Sequence, residues 1–103
     1  QLANAKMLIE RRDRALRLSC NPDFRAIILD EFCTTVAARY VQASADPALS
    51  ERDQANALAL AQASGHLRRY LSVIMQMGNV AESNLIELQE AIEAERAEED
   101  QQG

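Results

Sequence analysis

The chain has 103 residues, a net charge of −5 and an apolar share of 48%, with two Phe, two Tyr and no Trp. That length holds one domain rather than two, and the apolar share excludes wholesale disorder. The acidic balance argues against nucleic acid as the default partner.

Ala is abundant, Gly and Pro together number five, and β-branched strand formers are scarce. An all-α fold is expected, because Ala, Leu, Glu, Gln and Arg lose little freedom in a helix. The first helix is predicted over about 2–19, with Leu2, Ala5, Ile9 and Leu16 in one stripe and Leu8 and Ala15 beside it. Arginines occupy its other face. Asn21-Pro22-Asp23 then supplies an N-cap, a proline at the first helical position and an acid in the first turn. A second helix should follow over about 22–44. Phe24, Ile27, Ile28, Leu29, Phe32, Cys33, Val36, Tyr40 and Val41 make it apolar over a wide arc, which predicts a central place in a bundle.

Ala45-Asp46-Pro47 ends that helix, and Ser50 with Asp53 forms a short variant of the capping box that opens a third. This helix should reach the mid-90s. Leu67, Leu71, Ile74, Gly78, Ala81, Leu85, Leu88 and Ile92 alternate steps of four and three, a heptad seam that Ala57, Leu60 and Ser64 extend backward. Gly78 and Ala81 would let a neighbouring backbone come close, and Gly65 is the position most able to break the helix. The sequence thus predicts a single helical domain over 1–97 with a frayed acidic tail over 98–103. Its architecture would be a three-helix, antiparallel, hairpin-like bundle, two shorter helices on one half of a long third. Side by side, helices of about 27 and 33 Å cannot cover one of roughly 65–70 Å. Part of the seam therefore needs a partner, most simply another copy, so a homo-oligomer is expected.

Charge is separated along the chain. Residues 1–25 carry six basic against three acidic side chains, whereas 80–103 carry eight acids against Arg96 alone. Arg11, Arg12, Arg14 and Arg17 on the first helix, with Arg68 and Arg69 on the third, form two basic clusters. They either pair with nearby acids or make a contact strip for an acidic protein or, less in keeping with the net charge, a nucleic acid surface.

No catalytic, cofactor-binding or metal site is expected. His66 is the one histidine and has no ligand spacing around it. Cys20 and Cys33 lack the base that nucleophilic catalysis needs and read as reduced thiols of an intracellular protein, Cys33 in the core and Cys20 near a helix end. Glu87, Glu90 and Glu93 step in threes along a solvated helix, and no Gly-rich phosphate loop occurs. No apolar run approaches the roughly 18 residues of a membrane span. Binding, not catalysis, is the expected activity.

Several stretches carry a resemblance: Leu8-Ile9-Glu10-Arg11-Arg12-Asp13-Arg14-Ala15-Leu16, Asn21-Pro22-Asp23-Phe24 and Asp46-Pro47-Ala48-Leu49-Ser50. To these are added Leu67-Arg68-Arg69-Tyr70-Leu71 and Met77-Gly78-Asn79-Val80-Ala81-Glu82. In order and content they resemble small all-helical accessory proteins of tailed bacteriophages. The chain departs from that pattern at Asp30-Glu31-Phe32-Cys33, where a glycine-containing stretch would be more familiar. The resemblance implies a structural or head-assembly protein that binds capsid, portal or connector proteins and its own copies. Its setting would be the virion, and the host cytoplasm during assembly. The alternative is a small phage inhibitor that docks on a host protein in a complex of fixed stoichiometry.

Overall fold

The computed structural model describes residues 2–102, which form an all-α chain of three helices. Helix α1 is Leu2–Cys20. Helix α2 covers 22–44 in three consecutive stretches, Pro22–Phe24, Arg25–Val36 and Ala37–Ser44. Helix α3 is Glu51–Gln102.

The helix starts follow from local chemistry. Asn21 has extended backbone, and its Oδ1 accepts from the amides of Asp23 at 3.0 Å and Phe24 at 3.1 Å. Ser50 caps α3 in the same way, its Oγ accepting from the Asp53 amide at 3.1 Å. Between them the 45–50 turn is closed by Asp46, whose Oδ1 accepts from the Ala48 amide and whose carbonyl accepts from the Gln54 side chain. The Asn21 and Ser50 contacts satisfy backbone donors that a helix start leaves without intrahelical partners.

The middle of α2 departs from a regular α-helix. Arg25–Val36 is π-helical, and the hydroxyls of Thr34 and Thr35 donate to carbonyls five residues back, Leu29 at 2.9 Å and Asp30 at 3.2 Å. This stretch holds the chain's densest run of β-branched side chains, Ile27, Ile28, Thr34, Thr35 and Val36, which crowd an α turn.

Two compact units are present: residues up to Ala15 with those from Ile74 onward, and Leu16–Val73. In the second, α2 packs against the first part of α3 through small groups. Cys33, Ala57 and Ser64 are buried, and the Cys33 thiol lies 3.8 Å from the Ser64 carbonyl. In the first, α1 runs antiparallel to the later part of α3 and buries Ala15, Ile74 and Ala81.

The shorter helices therefore do not share one half of α3, as the sequence suggested. Only Asn21 separates Cys20 from Pro22, too short a joint for the two-to-five-residue turn of an antiparallel helix pair. Each takes a different stretch of α3 instead. Helix α2 is also less central than its wide apolar arc predicts. Cys33 alone is buried, Phe24, Ile28, Leu29, Phe32, Val36 and Tyr40 are half-buried, and Ile27 and Val41 are exposed. One packed neighbour covers one side of a helix.

Helix α3 passes through Gly65 without a break and continues to Gln102, past the expected mid-90s end. Residues 93–102 are mostly Glu, Ala and Gln, good helix formers with no breaker among them. Of the expected frayed tail, Gly103 lies outside the described residues.

Candidate interaction surface

Arg12 organises the unit formed by the two ends of the chain. Its guanidinium bonds to the Asp13 carboxylate at 3.0 Å and the Asn79 Oδ1 at 3.0 Å, and forms an ion pair with Glu82. The Glu82 hydrogen bond first, and then that of Asp13, raises its pKa above the ordinary arginine value, against the opposing pull of desolvation. Beneath the guanidinium, the aliphatic stem lies directly over Gly78: a β-carbon built there would stand 2.8 Å from Arg12 Cγ and 3.0 Å from Cδ. Glycine in the seam is thus explained by close approach, whereas Gly65 has no such neighbour.

The heptad seam is largely used within the chain. Ile74, Gly78 and Ala81 are buried, and Leu67, Leu71 and Leu85 are half-buried. Leu88 and Ile92, at 53% and 42% exposure, are the seam residues left open. The chain itself thus covers most of the seam that was expected to meet a partner.

Beside the seam runs a second apolar line through Met77 and Val80 that meets it at Leu88. Met77, Val80 and Leu88 are exposed, and with Asn84 their spacing of three, four and four is helical. Together with Leu2, Ala5 and Leu8 of α1 they line an open groove of about 750 Å³, with Asn4, Gln76 and Asn84 as its polar members. The spacing of Met77, Val80, Asn84 and Leu88 is the sequence signal that could have found it.

The basic clusters divide by role. Arg12 is committed within the chain. Arg14 pairs with Glu10 at 3.0 Å one turn away. Arg68 donates to the Thr34 hydroxyl at 2.9 Å and approaches the Leu29 carbonyl at 3.5 Å, so it braces the π-helical stretch of α2. Arg11, Arg17 and Arg69 are exposed. Arg12 and Arg68 thus make ties within the chain, Arg68 from an exposed position.

Cys33 is buried and Cys20 exposed at the end of α1, as the sequence suggested, and His66 is exposed. Among the described residues no group of three His, Cys, Asp or Glu side chains is placed to hold a metal ion, and no helix is long and apolar enough to cross a membrane. The described surface presents an apolar groove, an exposed end of α3 and separated charge. No known protein family, curated protein or solved structure matches the chain.

Proposed function

We propose that the chain is a non-enzymatic assembly protein whose helical surfaces are completed by other proteins, its own copies among them. One observation carries this reading. Among the described residues no large side chain is fully buried, while Leu2, Met7, Ile27, Val41, Tyr70, Val80, Leu88 and other large apolar residues stay open to water. Exposed leucines alone are ordinary, but a fold in which Ile74 is the one large side chain among the buried described residues has little core of its own. Coverage by a partner would bury that surface at roughly 25 cal/mol per Å².

The resemblance noted in the Leu8–Leu16, Asn21–Phe24, Asp46–Ser50, Leu67–Leu71 and Met77–Glu82 stretches supports a bacteriophage particle as the setting, with capsid, portal or connector proteins as partners. Quantitative mass spectrometry of purified particles tests it. Several copies per particle, in a number matching a ring or shell symmetry, are expected. Absence from particles, together with a fixed-stoichiometry complex with one host enzyme, would replace this reading by the inhibitor.

A further inference from the structure

One line of α3 stays open to water beside α1. Met77, Val80, Asn84, Leu88 and Ala91 are all exposed, and at about 100° per residue they fall within about 80° of the helix circumference. The first four line the groove together with Leu2, Ala5 and Leu8 of α1, and no charged residue lines it. Such a face does not repel a copy of itself. Asn84 stands at the middle of the line, with a side-chain amide that both donates and accepts. The charge of α3 divides about the same point. Residues 68–81 carry Arg68 and Arg69 and no acid, whereas 87–100 carry seven acids against Arg96. Because α3 is one helix, Glu51–Gln102, these residues keep a fixed spacing along it.

We infer that this face packs on the same face of a second copy, α3 against α3, antiparallel and centred on Asn84. The inference rests on the proposed function and names the first partner. Three features select a second copy. The first is register. With the two Asn84 residues level, Val80 lies level with the partner's Leu88 and Met77 with the partner's Ala91, so apolar meets apolar on both sides of the centre. Each Asn84 amide donates to the other's oxygen, the self-pairing by which one polar residue in an apolar seam fixes alignment. The second is charge. In this register, 87–100 of each copy runs along 68–81 of the other. Arg69 and Glu98 lie on one flank of the line, about 60° and 40° round from Asn84, and in an antiparallel pair like flanks meet. Arg69 therefore stands within about 1.5 Å, along the axis, of the level of the partner's Glu98. Both side chains are exposed, and among the described residues neither has an ion-pair partner. Glu87 falls level with the partner's Ala81, and Glu90 with the partner's Gly78. The two Glu87 residues stay about 9 Å apart along the axis, a separation that physiological salt largely screens. Parallel pairing would instead set every acid of 87–100 beside its own copy.

The third is extent. From Arg69 to Glu98 the paired α3 helices run together for about 44 Å, and α1 from Leu2 to Arg14 adds about 20 Å. At the roughly 10 Å breadth of a helix this covers on the order of 600 Å² on each copy, the weak end of specific interfaces and close to their usual 800 Å² or so per partner. The two-fold axis crosses α3 at Asn84, so each α1 lies over the other α1. Leu2, Ala5 and Leu8 then face the same uncharged groove from both copies, and four helices enclose it. An isologous contact of this kind closes at two copies and makes every pairing twice.

Association and register are tested separately. Sedimentation equilibrium of the full chain near physiological salt should show a monomer–dimer equilibrium in the micromolar range. Val80→Asp and Leu88→Asp each place a charge at the centre of the contact and should leave a monomer. Arg69→Glu and Glu98→Lys should each weaken the dimer by about twofold to thirtyfold, because the pair recurs twice. The two changes in one chain should recover most of that loss. Circular dichroism checks that each variant keeps its helices. Register is read from outward positions that leave the contact intact. In a Cys20→Ser background, where the remaining Cys33 is buried, spin labels at Glu90→Cys stand about 18 Å apart along the axis and those at Ala97→Cys about 39 Å. Pulsed electron paramagnetic resonance should therefore give a longer distance for position 97, by more than about 10 Å. Equal distances at the two positions, a parent protein monomeric at several hundred micromolar, or a double variant no stronger than the single ones would overturn the pairing. The assembly reading would survive that result if the chain were still found in particles. A dimer with this register that never enters particles would support the pairing and remove the assembly reading.

Discussion

Two glycines of α3 turn one chemical change into a test of how α1 packs. Neither has positive φ, so alanine suits the backbone at both. At Gly65 nothing lies within 4 Å of an added β-carbon. Gly65→Ala should therefore stabilise by about 0.5–1 kcal/mol, through helix propensity and a less flexible unfolded chain. For a chain of this size that is a rise in Tm of roughly 2–8 °C. At Gly78 the same propensity gain is opposed. The new methyl would lie 2.8 Å from Arg12 Cγ and 3.0 Å from Cδ, well inside the roughly 3.5–4.0 Å at which carbon atoms rest. Arg12 Cβ is fixed to α1 and cannot swing aside, so the helix itself must shift, at the roughly 1–3 kcal/mol typical of overpacking. Gly78→Ala should thus range from neutral to about 2 kcal/mol destabilising. Its separation from Gly65→Ala, about 1–3 kcal/mol, is the steric contribution alone. Thermal and urea melts followed by circular dichroism measure both, at low protein concentration because self-association would raise Tm. Equal stabilisation by the two alanines would refute the close approach of α1 to Gly78.

Other substitutions separate further contributions. Arg12→Met keeps an apolar stem over Gly78 and removes the charge, so it should lower Tm less than Arg12→Ala; equal losses would assign the whole effect to the ion pairs. Because the guanidinium's pKa is raised, its contribution is fully present below the ordinary arginine range and is lost only as pH rises through the raised value, so urea melts between pH 6 and 9 should show no change traceable to Arg12 itself. Asn21→Ala and Ser50→Ala each remove a cap and should cost about 1 kcal/mol in urea melts. Ile74→Ala, at a buried site, should cost about 2–4 kcal/mol. Leu88→Ala should change dilute-chain stability by under about 0.5 kcal/mol while weakening self-association in sedimentation.

Elements were easier to read than their neighbours. Asn21-Pro22-Asp23 and Ser50-Glu51-Arg52-Asp53 fix the starts of α2 and α3 because caps are local chemistry, satisfied within three residues. The seam from Leu67 to Leu85 was legible as an inward face because its spacing matches the helix period. What the seam packs against was not. The heptad alone cannot distinguish a second chain from α1, and that choice turns on the one-residue joint at Asn21, which prevents a hairpin of α1 with α2. The π-helical stretch was equally hidden, since the sequence marks Ile27, Ile28, Thr34 and Thr35 as crowded without saying which wider hydrogen-bonding pattern relieves them. Nor does an arginine-rich face announce which members turn inward: Arg12 and Arg11 are neighbours in sequence, yet only Arg12 lies over a glycine.

The distribution of residue sizes joins these points. At the buried positions stand mainly small groups, Ala15, Cys33, Ala57, Ser64, Gly78 and Ala81, with Ile74 the exception. Small groups bring helix backbones close, and they leave little apolar volume to bury. The large side chains lie outward, on the groove, on α2 and along the end of α3. A chain arranged this way gains geometric definition from its interior and binding surface from its exterior. Its stability should therefore depend on what covers that exterior. If so, Tm should rise with protein concentration in the parent and stay flat in Leu88→Asp, whose interior is unchanged. A parent Tm independent of concentration from about 1 to several hundred micromolar would mean that the small-residue interior suffices alone, and that the exposed apolar surface adds nothing to folding.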